Sequence, residues 1–146
     1  IESANISGLN FECTYTIKKD FIINSNCNYI VGETINNLPL AHIPPLNANL
    51  NIEYNIKNNS LNLNTSYNSW KKAEDYDLAG VDNLEEATID GTPSWYTLNL
   101  YYSYKLDNNF TYGIGIKNIF DVHYKTFGSA LSASGRNFVL SLHAKF

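Results

Sequence analysis

The sequence predicts an all-β protein: an antiparallel, up-and-down transmembrane β-barrel to which this chain contributes about seven strands. Three observations carry the prediction. Apolar residues alternate with other residues in seven separate segments, short and long connections alternate between those segments, and the polar positions hold mostly uncharged Asn, Thr, Ser and Gly. A period of two is that of a strand with two different faces, whereas an amphipathic helix needs apolar residues at i, i+3 and i+4.

The seven predicted strands share one construction, with an apolar face and a polar face. They cover residues 9–17, 21–31, 46–56, 61–68, 96–106, 110–117 and 138–146. In the last of them every second residue from Phe138 is apolar, and the segment ends on the aromatic Phe146. Segments of this length match the roughly 9–11 residues that a tilted strand needs to cross a bilayer.

The connections predict the orientation of the strands. Residues 18–20, 57–60 and 107–109 form tight polar turns, and residues 32–45, 72–93 and 120–135 form long loops. Strict alternation places all tight turns at one edge of the sheet and all long loops at the other, as in outer-membrane barrels with short periplasmic turns. The apolar faces end in aromatics at both edges, as interfacial girdles would: Tyr29, Tyr67 and Tyr96 near the loops, and Phe21, Tyr54, Tyr104, Phe110 and Phe146 near the turns.

Composition agrees with this fold class. The chain has 146 residues with 10 basic and 14 acidic side chains, a formal net charge of -4, which argues against a nucleic-acid partner. Aromatics reach 14% with 11 Tyr, and residues of this kind favour pleated strands. The sequence contains no apolar run of about 18 residues, so it predicts no transmembrane helix. Because the sequence has no Met and no apolar N-terminal segment resembling a signal peptide, we expect it to be a piece of a longer protein.

A soluble sandwich or lipocalin-like barrel is the alternative fold, because it also has alternating strands and hairpin turns. The uncharged polar face and the unbroken apolar faces favour the membrane barrel.

The last third of the chain contains recognisable landmarks. Asn118, Phe120 and Asp121 lie in an Asn-Ile-Phe-Asp-x-x-Tyr pattern, and Gly135-Arg136 opens the final strand, which ends in Phe146. Residues 91–106, 108–124 and 135–146 resemble the C-terminal end of TonB-dependent outer-membrane receptors, and residues 76–98 look most like versions from Bacteroidetes. The resemblance implies a barrel of about 22 strands around a plug. Residues 1–146 would be its C-terminal part, with the plug and the remaining strands upstream.

The resemblance also implies a function. The protein would be a receptor for TonB-dependent active uptake of a scarce nutrient, an iron-siderophore or cobalamin-like ligand, in the outer membrane of a Gram-negative cell. Implied partners are outer-membrane lipid, the plug and other strands, TonB through the N-terminal part, and the barrel-assembly machinery reading Phe146. Phe138, Leu140 and Leu142 would belong to the strand that closes the barrel. Alternatives are a passive porin, an adhesin-like barrel or a soluble ligand-binding β-barrel.

The candidate ligand contacts are loop residues. They are Trp70, Tyr76 and Trp95 for their aromatic rings, and His42 and His123 for their external positions. His143 is expected to face the lumen. No pair of His has H-x-x-x-H spacing, and the acidic loop 82–90 lacks the pattern of an EF-hand, so neither a metal site nor a cofactor is predicted. The absence of a G-x-S-x-G or P-loop signature argues against an enzyme.

Two pairings remain open from the sequence. Cys13 and Cys27 have the same parity, and a register centred on Asp20 would make them direct cross-strand partners facing lipid. A disulfide is one outcome in an oxidising compartment, and two free thiols acting as small apolar residues is the favoured one. Arg136 is interpreted as a structural landmark, with a lumenal pair to Asp121 as the alternative.

Overall fold

A computed structural model describes residues 3–146 as one open antiparallel sheet with long loops at one end. Every long strand pairs with the long strands next to it in the chain. The long strands are β1 (Ala4–Ile17), β2 (Phe21–Thr34), β3 (Asn47–Ile56), β4 (Asn59–Asn68), β7 (Trp95–Lys105), β8 (Phe110–Lys117) and β9 (Asn137–Ala144). Within residues 3–146, no helix is long and apolar enough to cross a membrane.

The long loop between β4 and β7 has structure of its own. Two-residue strands β5 (Lys71–Lys72) and β6 (Gly91–Thr92) pair as a small ribbon. Single 3-10 turns cover Ala73–Asp75 and Leu84–Glu86. The seven-stranded, up-and-down architecture confirms the predicted fold class, and the sheet is not closed within residues 3–146.

The apolar face is continuous across the whole sheet because the pairings keep the alternation in phase. One row of directly opposed residues shows this: Tyr15, Ile23, Ile52, Leu63, Leu100, Ile116 and Phe138. These side chains have no second layer to pack against, and Leu140 is 84% exposed in the chain alone. Such a large apolar surface has to be covered by something other than water, and lipid fits a single sheet face.

Aromatic residues mark both ends of this face. At the loop end Tyr67 lies opposite Tyr96, whose ring packs edge-on against Phe120 at a centroid distance of 5.9 Å. At the turn end Phe21 packs against Tyr54, with ring centroids 6.0 Å apart. Two aromatic bands separated by aliphatic residues are typical of the two interfaces of a membrane barrel.

The turns and loops lie where the alternation predicts, with shifted boundaries. The β3–β4 turn consists only of Lys57 and Asn58, because Ile56 already pairs with Asn59. Lys57 accommodates this tight connection with a left-handed φ of 51°. The β1–β2 hairpin is longer than the two predicted segments: β1 begins at Ala4 and β2 ends at Thr34. The three long loops are therefore residues 35–46, 69–94 and 118–136, here called the first, second and third loops.

The predicted direct pairing of Cys13 with Cys27 is wrong. The β1–β2 register is centred on Lys19, so Cys13 lies opposite Ser25 and Cys27 lies opposite Phe11. The left-handed Lys18, with φ of 62°, sets this register by closing a symmetric three-residue turn. Diagonal neighbours of this kind have Cα atoms about 7–8 Å apart, which exceeds the usual disulfide range. Both cysteines are free thiols.

Replacing Leu140 by Arg tests the assignment of the two faces. Leu140 lies opposite Ile114 in the middle of the apolar face, so we expect Leu140→Arg to destabilise the protein folded in lipid by about 2–4 kcal/mol. The measurement is the urea midpoint of unfolding in bilayers. His143→Arg on the opposite face of β9 is the matched control and is expected to change the midpoint little. Equal losses in both variants would contradict the assignment.

Candidate functional site

The polar face carries ordered rows of carboxamides. Asn24, Asn51, Asn64 and Asn99 form one row of directly opposed residues. The Asn99 side chain donates to Asn64 Oδ1 at 3.0 Å. In the next row the Asn49 amide donates to Asn26 Oδ1 at 3.1 Å and accepts from Ser66 Oγ at 2.7 Å. The Asn51 amide of the first row donates to Glu53 Oε1 at 2.9 Å. Because a carboxamide both donates and accepts, neighbouring strands bond through these rows with few charged partners.

Asn118 connects this face to the third loop. Its side chain is buried and its backbone N–H donates to Asn99 Oδ1 at 2.8 Å. Asn118 Oδ1 accepts the N–H of Val122 at 2.9 Å, and its Nδ2 donates to the carbonyls of Val122 and Ser134 at 2.8 and 3.3 Å. Asn118 therefore ends β8 and holds both ends of the third loop together.

Asp121, Gly135 and Arg136 form a second anchor of the third loop. Asp121 Oδ1 accepts the backbone N–H of Arg136 at 2.6 Å, while Arg136 Nε donates to the carbonyl of Ile119 at 2.9 Å. A Cβ at residue 135 would lie 2.6 Å from Asp121 Oδ1, so the contact requires Gly135. The guanidinium of Arg136 therefore donates to a backbone carbonyl and not to the Asp121 carboxylate. The alternative of a side-chain pair with Asp121 is wrong.

Tyr76 lies inside the loops and not on their surface. It is 3% exposed, its hydroxyl lies 2.7 Å from Thr92 Oγ1, and its ring centroid lies 5.7 Å from that of Phe127 in the third loop. In this structure Tyr76 packs the loops together, so the prediction that it contacts ligand is not carried further.

Lys71 contacts all three loops. It is 6% exposed, and its Nζ donates to the carbonyl of Ile43 in the first loop at 2.8 Å. The same nitrogen lies 5.8 Å from the ring centroid of Tyr76 and 5.3 Å from that of Phe127, within the range of cation–π contacts. One ammonium group therefore links the first, second and third loops.

The pKa of Lys71 shows that burying its ammonium group is unfavourable. Burial lowers the pKa of Lys71 from its ordinary value, and the carboxylates of Asp75, Asp82 and Asp77 partly oppose that shift. A buried ammonium is tolerated where hydrogen bonds and opposite charges compensate it.

His42 and Asp82 form a second link between the first and second loops. The Asp82 carboxylate is 2% exposed and accepts the backbone N–H of His42 at 2.9 and 3.0 Å. The His42 Nδ1 lies 3.1 Å from Asp82 Oδ1, while most of the ring is exposed. The sequence did not identify this link, because Asp82 is separated from His42 by 40 positions.

The second and third loops are joined through polar contacts as well. Asn83 Nδ2 donates to the carbonyl of Gly128 at 3.0 Å, and Lys125 Nζ donates to the carbonyl of Glu86 at 2.8 Å. With Lys71 and Asp82 these contacts make the three loops one packed unit, which we call the loop cluster.

Two of the predicted ligand contacts meet in one cavity. The rings of Trp95 and Tyr124 pack at an interplanar angle of 33° with centroids 4.1 Å apart. Both residues line a space of about 260 Å³ with His123 between the second and third loops. Trp70 lies elsewhere, half exposed, with its Nε1 donating to the carbonyl of Asp90 at 3.0 Å. Across residues 3–146, no three His, Cys, Asp or Glu side chains converge in a way that could hold a metal ion.

Comparisons with known proteins identify the fold. A family model described as TonB dependent receptor-like, beta-barrel matches residues 2–119. No curated protein sequence matches the chain. Among solved structures, the copper transporter OprC superposes with a TM-score of 0.79 at 19% identity, covering 98% of this chain and 24% of that one.

Two further structures superpose in the same way. The ferric enterobactin receptor PfeA of Pseudomonas aeruginosa has a TM-score of 0.70 at 20% identity, covering 97% of this chain and 22% of that one. The ferric-catecholate import receptor Fiu of E. coli K12 has a TM-score of 0.74 at 13% identity, with 99% and 21% covered. The chain therefore spans about a quarter or less of the length of these proteins.

Exchanging Lys71 for Met tests whether one ammonium holds the loop cluster. Lys71→Met keeps the apolar stem but leaves the Ile43 carbonyl without its donor, at a cost of about 1–3 kcal/mol. We expect faster amide hydrogen exchange in the first and second loops with unchanged exchange in β3 and β4. The exposed neighbour provides the control, Lys72→Met. Equal exchange in the two variants would show that Lys71 does not hold the loops.

Proposed function

The chain belongs to the TonB-dependent receptor-like β-barrel family, and we propose that it is the C-terminal part of the barrel wall of a receptor for active nutrient uptake. The protein is an outer-membrane β-barrel of the Gram-negative type, and its family consists of receptors and transporters rather than enzymes. In this proposal the plug and the remaining strands belong to the same protein upstream of residue 1.

The observation that carries the proposal is the pair of unpaired strand edges at the two sides of the seven-stranded sheet. In the described residues β1 pairs only with β2, and β9 pairs only with β8. Exposed backbone N–H and C=O groups are not tolerated in hydrocarbon, so both edges need further strands. Phe138, Leu140 and Leu142 then belong to the strand that closes the barrel.

The polar face supports a lumen that contains a plug. The carboxamide rows present hydrogen-bond donors and acceptors with little fixed charge, which suits contact with either water or the backbone and side chains of a plug. TonB would act through the absent N-terminal part of the receptor. Phe146, fully exposed beyond β9, would be read by the barrel-assembly machinery.

The proposed cargo is a scarce nutrient such as an iron chelate or a cobalamin-like ligand. The structural neighbours named above carry the names of a copper transporter, a ferric enterobactin receptor and a ferric-catecholate import receptor. In this chain the cavity lined by Trp95 and His123, together with the exposed Trp70, is the proposed first contact for ligand. His42 has a free ring edge at the same end of the sheet.

Energy dependence tests the proposed function. Cells that carry the full-length receptor take up radiolabelled iron from a panel of ferric chelates, or labelled cobalamin, and the receptor deletion defines the background. We expect uptake of one panel member to fall to that background when TonB is deleted or a protonophore is added. Uptake that persists in both conditions would contradict active transport and favour a passive porin.

A further inference from the structure

Three lysines lie on two neighbouring turns of the sheet, at the end opposite the loop cluster. The β1–β2 turn carries Lys18 and Lys19, and the β3–β4 turn carries Lys57. The backbone N–H of Asn55 donates to the carbonyl of Asp20 at 2.7 Å, which joins the first turn to the strand that leads into the second. The centres of the two turns are two strand spacings apart, about 10 Å. Lysine side chains from both turns can therefore reach one small anionic group.

The positive charge of these lysines is not compensated within the two turns. All three lysines are exposed, and across residues 18–20 and 57–58 they face one carboxylate, that of Asp20. In the part of the chain that the structure describes, every ion pair lies in the loops, and none involves a residue of these turns. Glu53, near the end of β3, lies on the lumenal face, where the Asn51 amide donates to it at 2.9 Å.

An aromatic pair lies next to the same two turns on the lipid-facing side. Phe21 and Tyr54 are directly opposed on β2 and β3, and their ring centroids are 6.0 Å apart. Ile17 and Ile56 continue this apolar surface, with exposed fractions of 43% and 44%. Aromatic side chains at the end of a membrane-spanning face mark the level of the lipid headgroups. The lysines therefore lie at the depth of the lipid phosphates.

The sign of the charge distinguishes these turns from other connections of the sheet. In the third tight turn, residues 106–109, the charged side chain is that of Asp107, which accepts the backbone N–H groups of Asn109 and Phe110 at 2.7 and 2.9 Å. The second loop, at the opposite end of the sheet, contains two lysines and seven Asp or Glu residues. The first two turns thus present positive charge where the third turn and the second loop present negative charge.

We propose that the β1–β2 and β3–β4 turns bind the headgroup of an anionic phospholipid in the periplasmic leaflet of the outer membrane. The lysine ammonium groups provide charge-assisted hydrogen bonds to the phosphate, and the Phe21–Tyr54 pair provides the apolar contact for the acyl chains. A soluble anion would use the lysines but leave the aromatic pair without a partner. The proposal depends on which face of the sheet contacts lipid, and not on the transported cargo or on TonB.

The test measures binding of one lipid at a time to the full-length receptor in detergent, by native mass spectrometry. Phosphatidylglycerol is the anionic probe, and phosphatidylcholine with the same acyl chains is its zwitterionic counterpart. The glutamine variant combines Lys19→Gln with Lys57→Gln. It removes one charge from each turn and leaves Lys18, whose left-handed conformation sets the hairpin register. The arginine variant, Lys19→Arg with Lys57→Arg, keeps both charges.

The matched control combines Lys105→Gln with Lys117→Gln. It removes the same number of charges from the same protein, but from the lumenal face, where Lys105 lies opposite Thr111 and Lys117 lies opposite Asn137. A general effect of net charge on lipid binding would therefore appear in the control as well.

We expect phosphatidylglycerol to bind the wild type, the arginine variant and the lumenal control alike. In the glutamine variant its tightest binding should weaken about thirtyfold, because each lysine near anionic lipid contributes about 1 kcal/mol. Phosphatidylcholine should bind all four proteins weakly and equally.

Three results would overturn the proposal: equal phosphatidylglycerol affinity in the glutamine variant and the lumenal control, phosphatidylcholine binding the wild type as tightly as phosphatidylglycerol, or loss of binding in the arginine variant. Co-sedimentation with purified peptidoglycan that depends on Lys19 and Lys57, without a change in phosphatidylglycerol affinity, would assign the turns to the cell wall instead. Lipid binding in detergent needs neither TonB nor cargo, so this proposal and the receptor function fail separately.

Discussion

The hydrocarbon of the membrane is the constraint on which the rest of this structure depends. Every backbone N–H and C=O within it must be paired inside the protein, and the face that points outward must be predominantly apolar. Seven strands whose alternation stays in phase through every pairing meet these demands except at the free edges of β1 and β9. Leu63, for example, lies between Ile52 and Leu100. A slip of one residue at any pairing would turn a whole strand's apolar side chains toward the lumen.

Polar chemistry is consequently confined to the inner face and the loops. On the inner face the carboxamides bond to one another and to neighbouring polar side chains, which keeps the wall polar with few fixed charges. In the loops, by contrast, charged groups make the connections. Lys71 and Asp82 are buried, and each links separate loops through contacts to backbone carbonyls, amides and rings. Buried charges of this kind hold the loops together only while all the partners are present.

The strands were predictable because their signal is local. Alternation in each segment identifies the strand, and the alternation of short and long connections orients it. The register of β1 with β2 was not predictable, because it depends on the left-handed conformation of Lys18, which no residue preference requires. The hairpin also extends to Ala4 and Thr34, where backbone pairing continues beyond the clear apolar pattern.

The loop cluster was the least predictable part. Nothing in the sequence separates Lys71 from Lys72, yet one is buried among three loops and the other is exposed. Tyr76 was identified as an accessible aromatic, whereas Phe127, 51 positions away, buries it. Contacts between distant loops depend on tertiary structure and cannot be predicted from composition. The landmark residues were different: Asn118, Asp121, Gly135 and Arg136 are close in sequence and act on one loop.

We conclude that one face of this sheet contacts lipid and the other faces the lumen. Nitroxide labels placed one at a time at residues 137–143 of the full-length receptor in bilayers test it most directly, by comparing relaxation by oxygen with relaxation by a polar nickel chelate. We expect a period of two, with high oxygen accessibility at residues 138, 140 and 142 and low values between them. A profile without that period, or with the opposite phase, would contradict it.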